Sequence, residues 1–371
     1  MILNQTRPNQ VVEAIQKMNL QKEEAILLLF GEESDVDIEA LINILNAMNI
    51  TFFGGIFPGI IHGTENTKTG CIIKKLPIGC KPFMIHGLNG EQFSIPNLLE
   101  THNLTDKKVT LLTFVDGLTA NIATYLQRLY HTYGNTVNFL GGGAGSLTLV
   151  QKPCVFSNEG IFQDAAVICP IMMTVSLGVK HGWKKLKGPI VATRTKKNVI
   201  HELNWRNAFD VYKEIIEEDS WKTFNDENFF DLAKGYPFGI IRETGEDIVR
   251  DPIAVDKNGS MICVGEVPEN TVLYILKGNN EALINAATVA VEESNADVKQ
   301  DVQHTFIIDC ISRTLFLENE FTKELEAIYN SVKNTDGEAM PQGVLSLGEI
   351  SSNGEGFLEF YNKTLVIGAL Q

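Results

Sequence analysis

Apolar residues near the start of the chain recur with helical spacing in two segments, and a short continuous apolar run follows each of them. Residues 11–20 and 38–45 carry apolar side chains three to four positions apart, which predicts two amphipathic helices. The runs at 25–30 and 50–57 are typical of buried strands. Helices that alternate with buried strands indicate a layered α/β arrangement.

A unit of helix, short strand, glycine-rich corner and β-hairpin recurs three times along the chain. The three copies span residues 36–74, 119–168 and 321–370, the last with a return strand at 357–370. Glycines concentrate at the corners, as expected where the backbone needs a positive φ or a close approach. We therefore expect the corners to lie at element ends, where α/β proteins place ligand sites.

A strand-rich segment separates the second copy from the third. The predicted strands are 172–178, 189–194, 248–255, 260–266, 272–276 and 304–310, and the predicted helices are 206–217 and 280–294. The pair Asn258-Gly259 is a strong signal for a tight hairpin turn.

The pattern as a whole predicts an α/β protein of mixed α+β type, with two layered domains whose mixed sheets are flanked by helices. The stretch 178–189 is rich in Gly, Lys and Trp and lacks an apolar period. We place the domain boundary there, which gives an N-terminal domain at 1–180 and a C-terminal domain at 181–371.

The charge of the chain narrows the classes of partner. Its 371 residues contain 46 acidic and 31 basic side chains, and the net charge is −15. A negative field of this size repels polyanions, so we expect neither nucleic acid nor an anionic membrane as a partner.

The sequence also favours a cytoplasmic location. Its longest apolar stretch, 165–179, is shorter than a membrane span and contains Pro170. Residues 1–17 are polar and do not resemble a secretory signal. The six cysteines form no C-x-x-C pair, which suits reduced thiols better than disulfides or a zinc site.

Several segments of the second half resemble the C-terminal domain of the FIST family. They are 176–183, 198–203, 248–252, 306–313 (with a Cys-x-x-Arg pattern), 343–350 (Gly-x-x-Ser-x-Gly-Glu-Ile) and 361–365. The first half is similar to the companion N-terminal FIST domain, mainly through 140–146 and Asp116-Gly117. The resemblance covers nearly the whole chain.

The resemblance implies an intracellular sensory module that binds a small, amino-acid-like ligand. Since the chain holds no kinase or cyclase sequence, the signal is expected to pass in trans to a partner, such as the histidine kinase of a two-component system. Some FIST relatives bind haem and sense nitric oxide, which gives the alternative of a haem-based sensor.

Five residues of the second half are predicted to hold the ligand: Arg250, Cys310, Arg313, Glu349 and Asn362. The start of a predicted helix and a nearby arginine favour a thiolate at Cys310, and Arg313 is able to hold a carboxylate through two hydrogen bonds. The alternative is a buried structural cysteine beside an arginine that is paired with an acidic neighbour.

The other three candidates also have two interpretations. Glu349 binds a ligand amine, or it anchors Arg313 or Arg250, because a buried arginine needs a partner. Asn362 contacts the ligand or fixes a turn. Arg250 precedes Asp251-Pro252 in extended backbone, where pairing at the surface is the simpler expectation.

His181 is the candidate haem ligand, because histidine is the usual proximal ligand of haem iron. The simpler interpretation is a surface histidine in a loop. An enzyme with Cys310 as nucleophile is a further alternative, but His304 lies about 20 Å from Cys310 on one predicted strand and cannot serve as its base. We therefore expect no enzymatic activity. A protein-binding adaptor is the last alternative, and no sequence feature favours it.

Overall fold

The computed structural model describes residues 1–371 except 91, 226–227, 243–244, 297, 299–300, 334–339 and 353–357. The helices are α1 (Pro8–Gln16), α2 (Ile38–Ala47), α3 (Leu98–Thr101), α4 (Ile122–Tyr133), α5 (Ala208–Ser220), α6 (Phe229–Ala233), α7 (Asn280–Ala296), α8 (Ile311–Leu317) and α9 (Phe321–Lys333). The strands of the first half are β1 (Ile2–Leu3), β2 (Glu24–Gly31), β3 (Phe52–Phe57), β4 (Gly59–His62), β5 (Glu65–Thr67), β6 (Cys71–Pro77), β7 (Phe83–His86), β8 (Thr110–Asp116), β9 (Asn138–Ala144), β10 (Val155–Ser157), β11 (Gly160–Phe162), β12 (Ala165–Ile171) and β13 (Val175–Lys180). The strands of the second half are β14 (Lys184–Lys196), β15 (Val199–Leu203), β16 (Arg206–Asn207), β17 (Phe238–Ile240), β18 (Ile248–Val255), β19 (Met261–Val264), β20 (Thr271–Lys277), β21 (His304–Cys310), β22 (Gln342–Ser346), β23 (Glu349–Ser352), β24 (Glu359–Tyr361) and β25 (Leu365–Leu370).

Three six-stranded sheets in the described part of the chain have equivalent strand orders. The orders are β1-β6-β2-β3-β10-β11, β7-β12-β8-β9-β23-β24 and β13-β25-β21-β22-β4-β5. In each sheet the two central strands are parallel, and a helical connection joins them: α2 in the first sheet, α4 in the second, and α8 with α9 in the third. The three repeated units predicted from the sequence are therefore confirmed.

The three units are interlocked by exchange of their hairpins. After each central pair the hairpin leaves its own sheet and extends the next one, so that β4 pairs with β22, β10 with β3 and β23 with β9. The chain then returns to its own sheet through β6, β12 or β25. As a result, strands from before and after residue 180 share the second and third sheets.

The α/β class with mixed sheets is confirmed, whereas the division at residue 180 stays a prediction. Most of the proposed boundary stretch, 178–189, lies within β13 and β14. The third return strand is described from residue 358 onward, and the first residue predicted for it, Phe357, lies outside the described residues.

The fourth sheet belongs to the strand-rich segment and has the order β14-β20-β17-β18-β19-β15-β16. Helix α5 packs on it through a buried face that includes Tyr212 and Ile216. Strands β18 and β19 form the predicted hairpin, and Gly259 has a φ of +77° in its turn. This sheet brings β18, and with it Arg250, against β24 of the second sheet.

Glycine is required at one equivalent position of each repeated unit. A Cβ on Gly54 would lie 1.8 Å from the carbonyl oxygen of Leu28 in the neighbouring strand. At Gly141 and Gly343 the corresponding distance to the neighbouring carbonyl is 1.7 Å. The glycine-rich corners therefore permit a close approach of two parallel strands, which no other residue type would allow.

An apolar core lies between the interlocked sheets, with residues such as Leu27, Phe114 and Phe306 nearly inaccessible to solvent. Among the described residues, no helix combines the length and the apolar character that crossing a bilayer requires.

Candidate functional site

The predicted ligand residues converge where β21 ends and the chain turns from β24 into β25. Cys310 and Arg313 lie at the end of β21 and in α8, Glu349 begins β23, and Asn362 lies in the turn. Arg250 reaches this turn from β18 in the fourth sheet. All five side chains are buried. The two that are farthest apart in the sequence, Arg250 and Asn362, are separated by 112 positions and are hydrogen bonded to each other.

Arg313 is inaccessible to solvent, and all five of its N–H groups donate to protein acceptors. The acceptors are both carboxylate oxygens of Glu324 (3.1 and 2.5 Å) and the carbonyls of His181 (2.6 Å), Leu283 (3.1 Å) and Lys363 (3.5 Å). No donor of Arg313 remains for a ligand carboxylate. The guanidinium instead joins α7, α9 and two turns into one frame.

A second carboxyl group lies beside the same guanidinium. Asp309 Oδ1 is 3.3 Å from Arg313 Nε, and neither oxygen of Asp309 has a hydrogen-bond partner among the described residues. Burial, followed by the charge of Glu324, holds the pKa of Asp309 well above its ordinary value. The Asp309 carboxyl therefore resists ionisation, and Glu324, which accepts two hydrogen bonds from Arg313, supplies the counter-charge.

The expectation of a thiolate at Cys310 is wrong. Burial, and next the charge of Glu349, raises the pKa of this thiol well above its ordinary value.

Glu349 does not pair with Arg313 or Arg250. Its carboxyl accepts hydrogen bonds from the Ser346 hydroxyl (2.6 Å) and from the backbone N–H of Thr364 (3.3 Å).

Burial raises the pKa of Glu349 to about 8, although its hydrogen bonds with Ser346, Cys310 and Thr364 oppose the shift. The unfolded carboxyl loses its proton near pH 4.5, whereas the folded one keeps it until about pH 8. Raising the pH between these values therefore favours the unfolded state.

We expect the unfolding temperature to fall from pH 5 to pH 8, and to fall less in Glu349→Gln, which retains a side chain able to bond Ser346. Asp309 remains in the variant, so a residual slope is expected. Calorimetry at pH 5, 6.5 and 8 measures the slope of unfolding temperature against pH for the wild type and for the variant. Equal slopes would show that the pKa of Glu349 is not raised in the folded protein.

Arg250 differs from Arg313 because it is a buried guanidinium without a carboxylate partner. Its Nε donates to the carbonyl of Glu266 (2.8 Å), and its Nη1 contacts the carbonyls of Val249 and Phe360 (both 3.0 Å). Among the described residues, no acceptor bonds its Nη2 and no carboxylate lies within ion-pair distance. Burial lowers the pKa of Arg250 to about 10, so the group stays charged at neutral pH. The expectation of surface pairing is therefore wrong.

Asn362 completes this arrangement. Its Oδ1 accepts from Arg250 Nη1 at 3.2 Å, and its Nδ2 is buried with no acceptor among the described residues. Gly265 lies against both groups, since a Cβ there would be 3.0 Å from Arg250 Nε and from Asn362 Oδ1. A buried amide N–H without a partner is destabilising unless something else accepts from it.

An adjacent pair of charged residues was missed in the sequence. Lys363 Nζ is 3.2 Å from Asp251 Oδ2, and Ser312 donates to the same oxygen at 2.8 Å. Asp251 Oδ1 has no partner among the described residues. The sequence did contain a signal for this pair: Asp251 directly follows Arg250, and Lys363 directly follows Asn362, and both of the preceding residues lie in segments that resemble the FIST C domain.

His181 is not the surface histidine that the simpler interpretation expected. Its Nδ1 accepts from the backbone N–H of Trp183 (2.8 Å), and its Nε2 faces Glu246 Oε1 at 3.6 Å. Burial lowers the pKa of His181, and Glu246 opposes the shift. Because Nδ1 accepts a hydrogen bond, the proton of the neutral ring lies on Nε2, and the side chain is buried, so His181 does not fit an axial ligand of haem.

Comparison with known families agrees with this architecture. The FIST N domain matches residues 25–206 and the FIST C domain matches residues 208–352. The chain belongs to the FIST family. FIST domains are sensory, signal-transduction modules, and this FIST protein contains both the N and the C domain. The two matched ranges adjoin at residue 207, at the start of α5. Among curated proteins, none matches the chain.

Proposed function

We propose that this FIST protein is a sensor for a small carboxylate, of the amino-acid-like class, and that Arg250 and Asn362 bind the carboxylate group. The observation that carries the proposal is the uncompensated charge of Arg250. A guanidinium that is buried without a counter-ion is strongly destabilising, and a bound carboxylate removes that penalty.

The hydrogen-bonding groups fit such a ligand. Asn362 Nδ2 is a buried donor without an acceptor among the described residues, and none of the hydrogen bonds that Arg250 makes to them uses its Nη2. A carboxylate is an acceptor on both of its oxygens. Asp251 Oδ1 is an acceptor without a donor. It would suit a ligand amine if the ligand extends past the turn at residues 362–363.

The other predicted residues support the site without contacting the ligand in this proposal. Arg313 holds α7, α9 and the turn at Lys363 in place. The backbone N–H of Cys310 and the carboxyl of Glu349 fix the backbone of Thr364, just beyond Asn362. The signal would pass in trans to a partner protein such as a histidine kinase. Neither the engaged His181 nor the protonated Cys310 favours the haem sensor or the cysteine enzyme.

Asn362→Asp tests the proposal, because it supplies an internal carboxylate next to Arg250. The new ion pair is expected to raise the unfolding temperature at pH 7 and to weaken carboxylate binding at least tenfold. Calorimetric titration with amino acids and with the corresponding 2-hydroxy acids measures the effect. Tighter binding of the amino acids would assign a role to the amine.

Arg206→Met serves as the control, because Arg206 is an exposed arginine paired with Glu214 on the fourth sheet. It is expected to bind ligand as the wild type does. Binding by Asn362→Asp that equals the wild type would contradict the proposal, as would the absence of any carboxylate that binds the wild-type protein.

A further inference from the structure

Four polar side chains lie together at the opposite end of β21 from Arg250. Lys74 on β6, His62 on β4, His304 on β21 and Gln342 on β22 each alternate with core residues of the same strand. Their neighbours two positions away, such as Ile72, Ile60, Phe306 and Val344, belong to the core between the sheets. Since alternate residues of a strand share a face, all four side chains face this core.

Backbone pairing shows that the four positions are close. Gln342 lies opposite both His62 and Phe306 in the third sheet. Lys74 Nζ lies 5.8 Å from the centre of the Phe306 ring, across the gap between the first and third sheets. The charge of Lys74 also acts on both histidines. The four side chains therefore form a polar cluster at one end of an apolar core.

Lys74 is only 4% exposed and is the charged member of this cluster. Within the described part of the chain, no carboxylate is in ion-pair distance of its ammonium, and no acceptor is hydrogen bonded to it. Burial lowers the pKa of Lys74 to about 8. Burial, followed by the charge of Lys74, lowers the pKa of His304 to about 4. Burial, followed by the charge of the Met1 amino group, lowers the pKa of His62, and Lys74 adds to this shift.

The remaining groups of the cluster are also rich in donors. Gln342 is buried, and its amide has no partner among the described residues. His62 and His304 are partly exposed, so they lie at the solvent side of the cluster. The acidic group that acts on the cluster is Glu65, an exposed residue opposite His62. The amino group of Met1 donates to the carbonyl of Ile73 and adds charge of the same sign.

We propose that Lys74, His62, His304 and Gln342 bind a small oxyanion with the chemistry of inorganic phosphate. The ammonium supplies the counter-charge, and the amide and imidazole N–H groups supply directed hydrogen bonds. This site is separate from the carboxylate site, because the two lie at opposite ends of β21, about 20 Å apart at the rise of an extended strand. A sensor with two such sites would respond to two anions.

Lys74→Met and Lys75→Met form a matched pair for the test. Methionine retains the length of lysine without its charge, and Lys75 is the next residue on β6, where it pairs with Glu24 at 3.2 Å on the other face. Calorimetric titration with inorganic phosphate is expected to show at least tenfold weaker binding in Lys74→Met and unchanged binding in Lys75→Met. Asn362→Asp is also expected to bind phosphate normally, since it alters only the carboxylate site.

NMR titration of the histidine side chains gives a second readout, which does not rely on the heat of binding that calorimetry measures. Phosphate should raise the pKa of His304 in the wild-type protein and leave it unchanged in Lys74→Met. Gln342→Leu replaces Lys74→Met if the latter does not fold. The proposal is overturned if phosphate neither binds the wild type nor shifts His304, or if it binds Lys74→Met as tightly as the wild type.

Discussion

Alanine at Gly141 is expected to destabilise the fold by about 3 kcal/mol or more, at or beyond the upper end of the usual range for overpacking. The new Cβ would lie 1.7 Å from the carbonyl oxygen of Thr113 in the adjacent parallel strand. This obstacle is backbone inside a sheet, so no flexible side chain is able to move away. Gly343→Ala meets the equivalent carbonyl of Ile307 at 1.7 Å and should have a similar effect.

Urea unfolding followed by circular dichroism measures the loss. Gly235→Ala is the control, because the nearest atom to its Cβ would be 3.5 Å away, which is an ordinary contact. It should change the unfolding free energy by less than about 1 kcal/mol. Equal stabilities for Gly141→Ala and Gly235→Ala would show that the parallel strands do not approach as described.

The double variant Asp309→Asn with Glu324→Gln is expected to lose about 3–5 kcal/mol of stability, because it leaves the buried charge of Arg313 without a counter-ion. Each single variant should lose much less. When Glu324 is replaced, Asp309 is able to ionise 3.3 Å from Arg313 Nε and take over the pairing. When Asp309 is replaced, the bonds from Arg313 to Glu324 remain intact.

Urea unfolding of the wild type, both single variants and the double variant gives the coupling between the two carboxyl groups. The loss in the double variant should exceed the sum of the two single losses. Additive losses would mean that Asp309 does not act as a reserve counter-ion. Glu214→Gln, which breaks an exposed pair with Arg206, is the control and should leave stability unchanged.

The three repeated units were predictable because their signals are local. A helical stripe, an apolar run and a glycine corner recur within about 50 residues in each unit, so one sequence contains the whole pattern. The exchange of hairpins was not predictable. Whether β4 pairs with its own sheet or with β22, about 280 residues later, depends on packing between distant segments, on which local propensity has no bearing.

The candidate site was predictable in its residues but not in their roles. Arg313 and Arg250 both lie in segments that resemble the FIST C domain, and the sequence favoured Arg313 as the carboxylate ligand and a surface pairing for Arg250. Their difference depends on Glu324, which α9 brings to Arg313 and for which Arg250 has no counterpart among the described residues. The same lack of spatial information led to the wrong expectation of a thiolate at Cys310, because burial outweighs its position before α8.

The most direct test of the carboxylate site is native mass spectrometry of the wild-type protein and of Asn362→Asp, each incubated with the same mixture of amino acids and small carboxylic acids. The account predicts a bound carboxylate of defined mass on the wild type and none on the variant, with the folded charge-state distribution retained in both. A ligand bound equally to both proteins, or to neither, would contradict the assignment of Arg250 and Asn362 as the carboxylate site.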